Sequence, residues 1–174
     1  MAGWLFILVT KTLKQAFEKL KTPIYINTTI GGILLGVISY HYPITRFFSH
    51  YEINHLLLGE FSMQLLIWIC VAKILAIAIT VTSGWRGGFI IPLFFVGTAL
   101  GLFLQNFFPG VNPSLIIVSC MAAINACVTR TPMSTTILLG TLTGFEYLIP
   151  IFFASLVGYF LAPRIPFIRS QLEP

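Results

Sequence analysis

Apolar residues in this chain run in long blocks, separated by short polar or Gly/Pro-rich breaks. The first block, residues 4–10, continues into KTLKQAFEKLK at 11–21, where Lys11, Lys14 and Lys21 interleave with Leu13, Phe17 and Leu20. That spacing predicts the amphipathic end of a helix. About ten apolar residues fall short of the ~20 that a helix needs to cross a bilayer. After Pro23, residues 24–42 are long and apolar enough to span, and Gly31, Gly32 and Gly36 offer a small-residue face for a neighbouring helix. Residues 43–60 form the most polar interior stretch and predict a loop with a short helix. Residues 61–83 predict another span, with Lys73 in its middle.

From residue 84 the blocks shorten. SGWRGGFIIP breaks the chain at Gly84, Gly87 and Gly88, and Pro92 suits the first turn of the helix that follows, up to residue 108. PGVNPS at 109–114 is a second break and TRTP at 129–132 a third. Between and beyond them lie SLIIVSCMAAINACV, STTILLGTLTG and a last apolar block at 146–161, then PRIPFIRSQLEP. Residues 133–143 would give only about 16 Å of helix. Short helices ended by Gly and Pro are the mark of broken helices in transporters and channels. Irregular backbone at membrane depth is tolerated only inside protein or beside a polar cavity. The expected fold class is therefore all-α, a polytopic membrane bundle with broken helices. It forms one transmembrane region over residues 1–174 with no soluble domain.

Composition narrows the function. Hydrophobic residues make up 57% of the 174 and charged residues 9%, far below the roughly 25% charge of a soluble domain. The net charge of +5 arises from ten Lys and Arg against five acids, all Glu. These charges are too scattered for a phosphate-tracking patch, so nucleic acid is not an expected partner. Cys70, Cys120 and Cys127 lie in apolar stretches without metal or disulfide spacing. His50, Glu52 and His55 match no zinc pattern, so no metal is expected. No Ser/His/Asp set or phosphate loop is present, and no enzyme or cofactor is expected. Lys73 has two readings: an ionisable group at membrane depth is a functional candidate, or it snorkels or binds a backbone carbonyl of a neighbouring helix.

The break at 83–92 carries the sharpest chemistry. A helix starting inside a membrane leaves its first N–H groups without partners, at the positive end of the helix dipole. A dehydrated anion satisfies both. Gly87 and Gly88 allow the sharp turn and close approach, and Phe89, Ile90 and Ile91 offer amides while their side chains exclude water. An uncharged lining also avoids holding a small anion too tightly for conduction.

SGWRGGFIIPLFFVGTALG at 83–101 resembles the signature G-G-x-F-x-P, followed by a Gly-rich helix, of the CLC chloride channels and chloride/proton antiporters. Gly87, Gly88, Pro92, Gly97 and Gly101 match it. MAAINACVTRTPMSTTILLGTLTGFEYLIP at 121–150 is similar to the later helices of that family, with Arg130, Pro132, Thr143 and Pro150 in register. GGILLGV at 31–37 and the segment ending Lys73-Ile74-Leu75 also resemble family helices. The resemblance covers nearly the whole chain, as the second of the family's two inverted repeats.

The resemblance implies transport of chloride or a similar monovalent anion, passive or proton-coupled, with the amides of Phe89, Ile90 and Ile91 as ligands. Where the signature has Phe, this chain has Ile90, and a Phe stands one place earlier at Phe89. The family's last-helix tyrosine falls at Ile168, with Phe167 beside it, so these two are the expected pore-lining residues near the C-terminus, without a hydroxyl. A fluoride-exporting branch has Glu and Thr where Phe89 and Ile91 stand, which points to chloride-like anions. The family's gating glutamate and serine ligand belong to the first repeat and have no counterpart here. A split or truncated chain is therefore expected, partnered by a complementary N-terminal half or by itself as a homodimer through residues 132–143 and 146–161. The other reading is a non-conducting remnant or assembly subunit. Lysines near one end and Arg164 and Arg169 near the other place both termini in the cytoplasm, with the chain in an inner or plasma membrane among lipid. That bias disfavours insertion in two opposite orientations.

Overall fold

The computed structural model describes residues 2–20, 22–46, 50–85, 87–165 and 167. Among the described residues eight α-helices follow one another: α1 (Ala2–Leu20), α2 (Ile24–His41), α3 (His50–Leu58), α4 (Met63–Thr82), α5 (Ile90–Gln105), α6 (Pro113–Thr129), α7 (Pro132–Thr143) and α8 (Leu148–Phe160). Two 3-10 turns, Pro43–Thr45 and Phe145–Tyr147, link α2 to α3 and α7 to α8. No strand occurs among the described residues.

Helix boundaries follow local chemistry. Ser62 caps α4, its hydroxyl accepting from the Leu65 N–H at 3.3 Å. Asn112 caps α6 through the Ser114 N–H at 3.0 Å, and Pro113 occupies the first helical position. Pro132 starts α7, and Gly144, at a φ of 93°, lets the chain leave it. α1 runs unbroken through the apolar block and the lysine-rich segment that follows. The last apolar block, expected as one span from 146, instead opens with a 3-10 turn, and α8 has 13 residues. α2 and α4, with 18 and 20 residues, are long and apolar enough to cross a membrane. α5, α6 and α8 are apolar and shorter.

α5 and α6 form the centre. α5 buries Leu93, Phe94, Phe95 and Val96 on successive faces and packs against α3, α4 and α6. Close approach explains the glycines. A methyl group at Gly97 would lie 2.5 Å from the Met121 Cα, and one at Gly101 2.6 Å from the Ile117 Cα. Gly158 of α8 likewise sits directly on the Ala123 carbonyl of α6. α1 closes the other side of α6 and α4. α2 is the outlier, with Gly31 its one buried residue. The small-residue face expected there is a single close contact, Gly31 on the Ser83 side chain. Gly32 reaches only Trp85 and Gly36 meets nothing within 4 Å.

Candidate functional site

The chain leaves α4 at Ser83, turns through Gly84 (φ 94°) and reaches α5 by way of Gly87 and Gly88. Trp85 holds this connection to α2, its indole N–H donating to the Thr28 carbonyl at 3.0 Å. Gly87 and Gly88 are exposed, whereas Phe89, Ile90 and Ile91 are half-buried. Phe89 is the N-cap of α5 and makes no side-chain capping bond. The first regular helical bond is Leu93 N–H to the Phe89 carbonyl, at 3.0 Å. Among the described residues nothing accepts from the N–H groups of Phe89, Ile90 and Ile91, and Pro92 has no N–H. Three backbone donors thus gather at one helix end, at the positive pole of the dipole, and the described side chains beside them are uncharged. This is the chemistry of an anion site.

Two side chains fix this end in place. Asn125, buried near the C-terminal end of α6, donates its amide to the Ile90 carbonyl at 3.3 Å. Its orientation locks the first turn of α5 to α6. Arg130 works at longer range. It ends α6 in the left-handed conformation, φ 58°, a position costing a non-glycine residue about 1 kcal/mol or more. Its guanidinium donates to the Pro163 carbonyl and, at 3.4 Å, to the Ile165 carbonyl. The segment after α8 is thereby drawn back across the bundle, and Phe167 reaches the site. The Phe167 ring meets Phe89 edge-on with centroids 5.0 Å apart, and packs on Phe6 of α1 at 5.2 Å. Beyond Phe167 lies a cavity of about 400 Å³ walled by Thr10, Lys11 and Lys14 of α1.

The structure therefore brings together Gly87, Gly88, Phe89, Ile90, Ile91, Pro92 and Phe167. Ile168 lies outside the described residues. Lys73 is buried on α4, with Nζ donating to the Thr45 carbonyl at 2.8 Å and to the Arg46 carbonyl at 3.5 Å. Its ammonium also faces the Phe95 ring at 5.2 Å. The carbonyl-binding reading of Lys73 is thus the one seen. No group of three metal-ligating side chains occurs among the described residues. Sequence reasoning passed over Asn125, although an amide inside SLIIVSCMAAINACV was a signal: polar groups at that depth need a partner. It placed Arg130 in register with family helices without a task. Only the folded chain shows which carbonyls it holds.

Comparison with known proteins bears on what this geometry serves. Residues 1–163 match the voltage gated chloride channel family. Over 154 residues the chain is 29% identical to an uncharacterized protein of Methanocaldococcus jannaschii, covering 88% of this chain and 39% of that protein. Over 121 residues it is 33% identical to a protein of Escherichia coli O1:K1 bearing the name "Putative ion-transport protein YfeO", covering 68% of this chain and 28% of that protein. The chain therefore spans well under half the length of these relatives. The apolar all-helical fold and the match over almost the whole chain agree: this is a membrane protein of an ion-transport family, and it belongs to the voltage gated chloride channels.

Proposed function

We propose that these residues form one wall of a path for chloride or a similar small monovalent anion, with the amides of Phe89, Ile90 and Ile91 as the binding groups. The observation that carries this reading is the start of α5. Among the described residues nothing accepts from the N–H groups of the half-buried Phe89, Ile90 and Ile91, and the described side chains beside them are uncharged. A half-buried donor without a partner costs about 1–3 kcal/mol. Such a cost persists where a ligand relieves it. Gly87, Gly88 and Pro92 make the turn, and Phe167 closes the site on the side of α1.

The rest of the path comes from protein beyond these residues, in line with the greater length of the relatives. Residues 1–174 act as one transmembrane unit without catalytic chemistry or cofactor, in a plasma or inner membrane with both termini on the cytoplasmic side. α7 and α8 carry exposed Ile137, Leu142, Ile149 and Phe153, an apolar face suited to lipid or to a second copy. The test is anion efflux from liposomes holding the purified chain, alone and together with a polypeptide supplying the remaining length of a relative. We expect chloride efflux with the second polypeptide present. Absence of efflux in both, with the two polypeptides shown to be bound, would reject transport in favour of an assembly role.

A further inference from the structure

Two cavities follow one seam between α1 and the chain that leaves α8. The first, of about 670 Å³, lies between α1, α5, α6 and α8. Trp4, Leu8, Cys120, Ile124, Val157 and Leu161 are among its lining residues, and none of those that line it is charged. The second, of about 400 Å³, opens farther along the same helix. Lys11, Lys14, Gln15 and Glu18 line it, and Ile165 and Phe167 form its other wall. Leu161 thus borders the apolar space and Ile165 the basic one, in the order in which α1 supplies Trp4 and then Lys11. Trp4, Leu8, Lys11 and Gln15 recur at helical spacing and are all exposed, so apolar and basic positions continue one stripe of α1.

The chemistry changes along that stripe. The Trp4 indole N–H donates to the Leu161 carbonyl at 2.6 Å, so its polar edge is satisfied and its ring is free to meet hydrocarbon. Lys14 pairs with Glu18 at 3.9 Å, both side chains being largely exposed. Among the described residues no acid pairs with Lys11 and no acceptor takes its ammonium. The second cavity therefore carries one positive charge that its own acid does not offset. From Trp4 to Lys11 the helix rises about 10 Å. One leaflet of hydrocarbon is about 15 Å deep. A phosphate held at Lys11 puts the upper part of its acyl chain beside Leu8 and Trp4.

We propose that this seam seats an anionic glycerophospholipid of single negative charge, with its phosphate at Lys11 and Lys14 and one acyl chain in the apolar cavity beside Trp4. A zwitterionic lipid offers the same chains, but its headgroup cation meets Lys11 unfavourably. Free phosphate has the charge and no chain to bury. The seat is built by α1, α6, α8 and the segment whose carbonyls Arg130 holds. The amides at the start of α5 do not belong to it, so it stands whether or not they bind an anion.

The test is tryptophan quenching in the full chain, reconstituted in vesicles of mixed phosphatidylcholine and phosphatidylglycerol in which one or the other carries brominated acyl chains. Subtracting the signal of Trp4→Phe isolates Trp4 from Trp68 and Trp85. At about 150 mM salt phosphatidylglycerol should be preferred at Trp4 by about fivefold, the contribution of one basic side chain to an anionic headgroup. The preference should shrink at about 1 M salt. Lys11→Gln should abolish it, Lys11→Arg keep it and Glu18→Gln raise it. Lys19→Gln, on the same helix but outside the cavity, should change it by less than about twofold, because screening weakens charges a Debye length away. Cys120→Phe should fill the apolar cavity and lower quenching by both lipids; should that variant fail to fold, the charge variants alone decide. Equal quenching by the two lipids, a preference that survives Lys11→Gln, or one that Lys19→Gln removes as fully would overturn the lipid seat. So would unchanged quenching in a folded Cys120→Phe protein. Displacement of the brominated phosphatidylglycerol by free glycerol phosphate would also overturn it, by making the site one for a soluble anion.

Discussion

The amino ends of α5 and α6 start from the same difficulty and resolve it differently. Each leaves backbone donors without helical partners. α6 begins at an exposed surface, and its own Asn112 side chain accepts from the Ser114 N–H while Pro113 removes another donor. α5 begins half-buried, behind two glycines, with Phe89 at the position Asn112 holds in α6. At α6 a side chain caps the helix, whereas at α5, as at the exposed starts of α2 and α7, none does. The difference teaches that neither the dipole nor a missing cap alone makes a helix end a site, and that the proposed anion site rests on the half-buried start of α5 behind two glycines.

Exchanging the caps sharpens the comparison. Phe89→Asp would give α5 an acceptor and a negative charge of its own, in reach of the Ile91 N–H. The carboxylate would occupy the place of the anion, and efflux should fall by about 30-fold or more. That loss corresponds to roughly 2 kcal/mol, the scale of a charge-assisted hydrogen bond. The check is chloride efflux set beside a thermal melt in detergent, with the melt little changed. Asn112→Ala does the reverse at α6 and should have the smaller effect. Losing the cap costs about 1 kcal/mol of stability, seen as a lower melting temperature, and efflux should stay within twofold. Equal effects of the two changes on efflux would erase the distinction between the two ends.

Much of this arrangement was legible in the sequence, and the reasons differ from part to part. The helices could be read because apolar blocks, prolines and glycines act locally. Pro113 and Pro132 stand at first helical positions, and Gly144 at an exit. The α5 start was legible because Gly87, Gly88 and Pro92 carry their conformational meaning without neighbours. Long-range contacts were not. Nothing local says that Arg130 holds the carbonyls of residues 163 and 165, or that this brings Phe167 to Phe89. Lys73 illustrates the same limit. Its depth was evident from its span, but its partners lie 28 and 27 residues away, on a turn whose position depends on packing. The glycines of α2 mark the opposite error. Spacing suggested a packing face, yet only Gly31 has a close neighbour, because α2 lies at the edge of the bundle.

The central claim is that backbone N–H groups at the start of α5 hold the anion, and one atom tests it. Replacing Ile90 with its α-hydroxy acid analogue converts that N–H into an ester oxygen and leaves the side chain unchanged. Chloride binding to the purified protein is then compared with and without the ester by calorimetry. The account predicts that affinity falls by about 10- to 100-fold, the loss expected for a hydrogen bond to a charged group. Unchanged affinity in the ester protein would contradict it.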